Sequence, residues 1–240
     1  MQVLARTHFR FLLAAAAAWV PACLWQAAAA LETATDSEPR NAVLAFAGRL
    51  STSDLGNTMI FNLHYQPPAG QPSFDNDIAG VEYERDLRAI APDLRLRFEG
   101  GVAERFGHYL VCCSQLPYPK PLPDLTQRLD GRVYSTELWF GPKLRWENLH
   151  LGPELRLEIS GTLGLSGVTR TIGRERQREM DDHGNAHLLY YIAPEIGASL
   201  RSLPRLELVI RIPHRSGGDH TLGNMEEGYN ADIVGVRYSF

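Results

Sequence analysis

Apolar side chains recur at every second position through most of the chain from residue 42 onward. Residues 94–99 read Leu-Arg-Leu-Arg-Phe-Glu, and residues 155–160 read Leu-Arg-Leu-Glu-Ile-Ser. Because successive side chains of a β-strand point to opposite faces, each segment has one apolar and one charged face. This alternation predicts an all-β fold.

Segments with this period number eight, and the connections between them alternate between short and long. The segments are 42–52, 77–87, 93–106, 131–146, 153–167, 188–200, 205–214 and 230–240. Short connections lie around 90–92, 148 and 202–204, and long ones span 53–76, 107–130, 168–187 and 215–229. Short periplasmic turns and longer extracellular loops are typical of membrane β-barrels. We therefore predict an eight-stranded antiparallel transmembrane β-barrel over residues 42–240, with its N-terminus in the periplasm.

The period alone does not say which face points outward. A soluble barrel would place the aliphatic face inside, whereas a narrow membrane barrel places it against lipid and fills its lumen with paired charges. The chain ends in an alternating strand, Val236-Arg237-Tyr238-Ser239-Phe240, which resembles the C-terminal signature of outer-membrane barrels. The membrane arrangement predicts a set of structural lumen charges, namely Arg95, Arg97, Glu99, Glu137, Arg156, Glu158, Glu195, Glu207, Arg211 and Arg237.

The first thirty residues have the layout of a secretory signal peptide. Basic residues at 6 and 10 precede an apolar stretch over 11–24, and four alanines end at Ala30. This pattern predicts cleavage near Ala30 and export, followed by a flexible lead-in over 31–41. Lipoprotein processing at Cys23 is the alternative, although Pro21 fits a lipobox poorly.

Several classes of partner are disfavoured by composition. The net charge of −4 and the absence of a Lys/Arg run give no reason to expect nucleic acid. Cys112 and Cys113 are adjacent, with neither a CxxC partner nor neighbouring histidines, so a zinc site is unsupported and loop or rim thiols are expected. We expect no cofactor and no metal.

The end of the seventh segment has the chemistry of a nucleophilic site. His214 and Ser216 share the phase of Leu208 and Ile210, so a regular strand would present both to the membrane near the extracellular end. A polar residue at a membrane position suggests a function, because burying it there costs free energy. An imidazole can accept the proton of a serine hydroxyl, whose oxygen then attacks an ester. Gly217 and Gly218 could supply backbone N–H groups to an oxyanion.

The element His214-x-Ser216-Gly217, followed by Gly228-Tyr229-Asn230 at the last strand, resembles the PagL-type lipid A 3-O-deacylases. The resemblance covers mainly residues 188–240. It implies that His214 is the base and Ser216 the nucleophile, that lipid A of lipopolysaccharide is the substrate, and that the outer membrane is the location. Arg215 is expected to contact that substrate.

The sequence departs from the family at the residue that orients the histidine. The family has a glutamate in this role, whereas the corresponding position here is Asn230. Glu226 and Glu227 stand just before it. The third member of the site is therefore left open among Asn230, Glu226 and Glu227.

Two other functions are compatible with the sequence. The first is a non-enzymatic outer-membrane barrel of the adhesion or integrity kind, in which rim and loop residues bind lipopolysaccharide. Its candidate basic loop contains Arg170, Arg174, Arg176 and Arg178, which either meet lipid A phosphates or are simply solvated. The second is a secreted soluble barrel that carries a small ligand. Whether the protein forms a homodimer is left open.

Overall fold

The computed structural model describes residues 40–58, 73–109 and 132–240. The predicted signal peptide (1–30), nearly all of the predicted lead-in, Cys112 and Cys113 lie outside these residues. Those predictions therefore remain expectations.

The described residues form nine strands and two short helices. The strands are β1 (Asn41–Ser51), β2 (Phe74–Ala91), β3 (Leu94–Gly107), β4 (Val133–Leu151), β5 (Leu155–Val168), β6 (Leu188–Leu200), β7 (Leu206–Arg211), β8 (His214–Ser216) and β9 (Glu227–Ser239). The helices are α1 (Leu55–Thr58), after β1, and α2 (Gly173–Asp181), between β5 and β6.

The strands pair antiparallel with their neighbours, and β1 pairs with β9 to close the sheet into a ring. β8 continues the line of β7 between β6 and β9, so these two count as one strand position. The ring therefore has eight strand positions. The predicted eight-stranded antiparallel barrel is confirmed. The short connections join β2–β3, β4–β5 and β6–β7, and the strand ends that the long connections join lie at the opposite end.

The seventh predicted segment is divided into β7 and β8 because of a proline. Pro213 has no N–H group to donate to a neighbouring strand, which interrupts the ladder. The register against β6 nevertheless continues unbroken, since Arg211 opposes Glu195 and His214 opposes Ile192. The division is therefore local, and the strand keeps its phase through the interruption.

The fourth segment is longer than predicted. The sequence placed a turn around residue 148, whereas β4 extends to Leu151 after an irregularity between Trp146 and Leu149. The turn falls at Gly152, whose φ of 74° is a conformation that glycine adopts without strain.

The barrel has the inverse polarity of a soluble protein. Large apolar side chains on its outer surface, such as Leu163 and Leu138, are 62% and 61% exposed. Arg211, Arg237 and Lys143 point inward and are fully buried. Exposing an aliphatic belt to water would be costly, whereas lipid accommodates it. The chain is a membrane-spanning β-barrel, and the soluble-carrier hypothesis is wrong because that fold would require the opposite faces.

The lumen is filled by an ion network. Lys143 Nζ lies 2.8 Å from a Glu84 oxygen and 3.0 Å from both Glu195 oxygens, and Arg237 contacts the same two carboxylates. Eight of the ten predicted lumen charges are buried, while Arg95 and Arg156 are partly exposed nearer the turn end. The carboxylates of Glu82, Glu84 and Glu99 converge in the lumen, where they are paired with three cations, Lys143, Arg211 and Arg237.

Helix α2 covers the lumen at the end with the long connections. Glu175 is buried and joins Arg105 to Arg215, with 2.8 Å between its Oε2 atom and Arg105 Nη1. The Arg174 N–H donates to Asp75 Oδ2 near the start of β2 at 2.6 Å. Among the residues that the structure describes, no helix has the length and apolar character needed to cross a membrane.

Candidate functional site

His214 and Ser216 have the outward phase of their strand, although His214 is covered and only 5% exposed, whereas Ser216 is partly exposed. In β8 they oppose Ile192 and Tyr190 of β6, which are 37% and 41% exposed. Arg215 stands between them and is fully buried inside the barrel. The strand phase predicted from the sequence is therefore confirmed, at the end of the barrel that has the long connections.

His214 is paired with the residue directly opposite it in β9. Its Nδ1 atom lies 2.6 Å from Asn230 Oδ1, and the Asn230 Nδ2 group donates to the Ser53 backbone carbonyl at 2.9 Å. A carbonyl accepts only, so the amide nitrogen of Asn230 must face Ser53 and the amide oxygen must face His214. His214 therefore carries its proton on Nδ1, and its Nε2 atom has the lone pair that a general base needs.

The Ser216 hydroxyl is hydrogen-bonded within the turn that joins β8 to β9. Its Oγ atom donates to the Glu226 carbonyl at 2.9 Å and accepts from the Gly218 N–H at 3.0 Å. Both residues are described, and no hydrogen bond joins the His214 and Ser216 side chains. The two groups share a face two residues apart, about 7 Å between Cα atoms. The arrangement needs a rotation of the Ser216 side chain before a proton can pass between them.

The predicted oxyanion donors are likewise occupied. The Gly217 N–H donates to the Glu226 carbonyl at 3.3 Å, and the Gly218 N–H donates to Ser216. The turn uses both amides in this conformation, so their role as oxyanion donors stays a prediction. Glycine is required by geometry, since a Cβ at 217 would lie 1.9 Å from the Met225 carbonyl oxygen and Gly218 has a φ of 63°.

Of the three candidates for the residue that orients His214, the described hydrogen bonds join only Asn230 to the imidazole. The Glu227 carboxylate instead pairs with Arg178 of α2 at 2.6 Å. The Glu226 side chain is exposed, and its backbone carbonyl serves the turn. The geometry therefore favours Asn230.

Arg215 is not placed to bind a substrate at the outer surface, which corrects the expectation from the sequence. Its guanidinium pairs with Glu175 and donates to the Ala186 carbonyl at 2.8 Å and the Ser166 carbonyl at 3.1 Å. The strand phase that turns His214 outward necessarily turns Arg215 inward. Its contacts are structural ones inside the barrel.

The surroundings of the site also include Ser53 and Glu175, which the sequence did not reveal, and Arg178, which the sequence indicated only as a member of the basic loop. The Arg178 guanidinium donates to the Gly228 carbonyl at 2.8 Å and to the Ser53 carbonyl at 3.4 Å. Ser53 acts through its backbone, which any residue type possesses.

The arginines of the 168–187 connection were predicted either to meet phosphates or to be solvated. Instead three of them bond within the protein, Arg174 to Gln177, Arg176 to Glu179 and Arg178 to Glu227.

No protein-family model and no curated protein matches the chain. Similar solved structures include the outer membrane enzyme PagL, with 14% identity and a TM-score of 0.46 over 83% of this chain and 99% of that one. Neisserial surface protein A has 11% identity and a TM-score of 0.44, covering 83% and 97% of the two chains. The N-terminal β-barrel domain of Pseudomonas aeruginosa OprF has 11% identity and a TM-score of 0.39, covering 85% and 98%. Likeness at this level establishes neither a family nor an activity for this chain.

Proposed function

We propose that this protein is an outer-membrane hydrolase that removes an ester-linked acyl chain, at the 3-O position, from lipid A of lipopolysaccharide. The observation that supports it best is the His214–Asn230 hydrogen bond on the outward face, with Ser216 two residues along the same strand. Ser216 is the partly exposed member of this pair, so a lipid ester would approach from the side of the barrel at the end with the long connections. The resemblance of residues 188–240 to PagL-type deacylases supports the choice of substrate.

The proposed reaction begins when the Ser216 side chain rotates toward His214. The Nε2 atom accepts the hydroxyl proton as the Oγ atom attacks the ester carbonyl, and a tetrahedral oxyanion forms. Collapse of this intermediate expels the sugar hydroxyl, which takes the proton from His214. Water, deprotonated by the same imidazole, then attacks the acyl carbonyl. The bond to Ser216 Oγ breaks, His214 returns its proton to that oxygen, and the fatty acid is released.

The same rotation would free a donor for the oxyanion. In the resting arrangement the Gly218 N–H donates to Ser216 Oγ, so departure of that oxygen leaves the amide without its present acceptor. An N–H group that points at the developing negative charge lowers the barrier by an amount typical of oxyanion holes. The turn that holds Ser216 at rest thus contains the group needed in the transition state.

Mass spectrometry of lipid A from Gram-negative cells expressing the protein tests this proposal. The wild-type barrel is expected to remove one acyl chain, and Ser216→Ala is expected to leave lipid A intact. Ser202→Ala, in the short connection between β6 and β7, is the matched control and should behave as wild type. Each variant is first checked for a folded barrel by heat-modifiable migration in detergent.

The second candidate is a non-enzymatic outer-membrane barrel whose loops bind lipopolysaccharide. It is favoured by the engagement of the Ser216 hydroxyl and both glycine amides, and by His214 being only 5% exposed. An unchanged lipid A acyl pattern in cells that contain the folded wild-type barrel would select this function over hydrolysis.

A further inference from the structure

Helix α2 contacts both strands that contain the candidate site. Glu175 pairs with Arg215, the residue between His214 and Ser216, and Arg178 pairs with Glu227 at the start of β9. These contacts come from successive turns of one helix, since residues three apart share a face. The helix is also fixed to β2, the second strand from β9 round the ring, through the Arg174 N–H and Asp75.

The Arg178 guanidinium bonds the same backbone carbonyl that orients the Asn230 amide. It donates to the Ser53 carbonyl at 3.4 Å, and the same carbonyl accepts from Asn230 Nδ2 at 2.9 Å. It also donates to the Gly228 carbonyl at 2.8 Å, two residues before Asn230. Both the backbone that contains Asn230 and the acceptor that orients its amide are therefore joined to a single side chain.

We infer that Arg178 is a positioning residue, through which α2 sets the orientation of Asn230 and hence the protonated nitrogen of His214. Without the guanidinium, the Ser53 segment and the start of β9 lose their shared donor. The Ser53 segment keeps its own bonds to Ser51 and Thr58, but the Asn230 amide is held less firmly once its acceptor and its backbone are no longer joined through one guanidinium. A turned amide would present its NH₂ group to His214 and place the imidazole proton on Nε2. The inference deepens the proposed function, because a proton on Nε2 would prevent the imidazole from accepting one from Ser216.

Arg178 is better suited to a test than Glu175. Glu175 joins two fully buried arginines, so neutralising it would leave charges without a partner and could unfold the barrel. The Arg178 side chain is 13% exposed, so its replacement does not leave a fully buried charge without a partner. The matched control is Arg174→Gln, because the Arg174 side chain bonds Gln177 of the same helix.

The experiment is ¹⁵N NMR of histidine-labelled barrel in detergent micelles at alkaline pH, where two-bond correlations distinguish the two imidazole tautomers. A His214→Gln sample assigns the signal. We expect wild type and Arg174→Gln to show the proton on Nδ1 alone, and Arg178→Gln to show a mixture or the Nε2 form. If Arg178→Gln does not fold, Arg178→Lys takes its place, since the single nitrogen of an ammonium cannot occupy both positions from which Nη1 reaches Gly228 and Nη2 reaches Ser53.

The result that would overturn the inference is an unchanged Nδ1 tautomer in the folded Arg178 variant. Turnover of lipid A is measured on the same samples and is expected to fall about 10- to 100-fold in kcat with little change in KM, as for a misplaced catalytic group. The tautomer is read without substrate, so an inactive wild-type protein with the expected tautomers would reject the hydrolase and retain the positioning role. If the wild type is active and the Arg178 variant keeps the Nδ1 tautomer, the hydrolase is retained and the positioning role is rejected.

Discussion

The His214 Nδ1 atom lies 2.6 Å from the Asn230 Oδ1 atom, and the two residues oppose each other across β8 and β9. Asn230→Ala removes the acceptor and should lower kcat for lipid A hydrolysis about 10- to 100-fold through loss of imidazole orientation. KM should change little because Asn230 is buried away from lipid. Steady-state kinetics in detergent micelles measure both constants.

Asn230→Asp distinguishes orientation from charge at the same position. A carboxylate could stabilise an imidazolium, but one of its oxygens would face the Ser53 carbonyl, which now accepts a hydrogen bond from the amide. We expect activity between that of wild type and Asn230→Ala. Wild-type kcat in Asn230→Ala would show that the asparagine has no role in turnover.

The lumen network predicts a large effect of Lys143. Its ammonium lies within 3.8 Å of four buried carboxylates, those of Glu82, Glu84, Glu99 and Glu195. Lys143→Met should destabilise the barrel by about 3–5 kcal/mol, because removing one member of a buried ion network leaves charge uncompensated. Urea unfolding of the refolded barrel measures this, with the exposed Arg49→Gln as control. Equal midpoints for the two variants would contradict the network's role.

The outward aliphatic belt predicts a penalty for charge on the lipid face. Leu163→Arg should cost about 2–4 kcal/mol if the side chain lies near the bilayer midplane. Leu203→Arg, in a short connection, should cost much less, although Leu203 is also exposed at 49%. Unfolding in lipid vesicles compares the two. A soluble barrel would tolerate both substitutions alike, so equal stabilities would contradict the membrane assignment.

The connection that contains α2 should be sensitive to acid. Burial alone would raise the pKa of Glu179, but hydrogen bonds from Thr171, Arg176 and the Ala186 N–H together lower the pKa below its ordinary value. A lowered folded-state pKa means that the carboxylate stabilises the docked loop above the ordinary carboxyl pKa, and that this is lost as pH falls through the folded-state value.

Amide exchange at Ala186, whose N–H donates to Glu179 Oε1 at 3.1 Å, reports this docking. Its protection factor, corrected for intrinsic exchange, should fall under acidic conditions in the wild type. In Glu179→Gln it should be lower at neutral pH and nearly flat with pH. A pH-independent protection factor in the wild type would remove Glu179 from this role.

Much of the architecture could be predicted from the sequence, because strand period and connection length are local properties. The alternation in 94–99 and 155–160 gave the two faces, and the short and long connections gave the sidedness. The phase of His214 and Ser216 followed from counting along one strand. Pro213 does not disturb it, since the register against β6 is continuous.

The surroundings of the site could not be predicted in the same way. The acceptor that orients Asn230 is a backbone carbonyl at Ser53, 177 residues away in the chain. No side-chain identity marks such a contact. Arg215 was expected to contact the substrate because it stands beside His214 in the motif, whereas strand alternation turns its side chain inward toward Glu175.

The central claim is that His214 and Ser216 act as one unit on an ester, and single-turnover hydrolysis of lipid A by the purified barrel tests it directly. Wild type is compared with Ser216→Ala, His214→Gln and the double variant. Residues that act together are strongly non-additive, so the double variant should be no slower than the slower single one. A folded wild type that releases no fatty acid, or losses that multiply in the double variant, would contradict the claim.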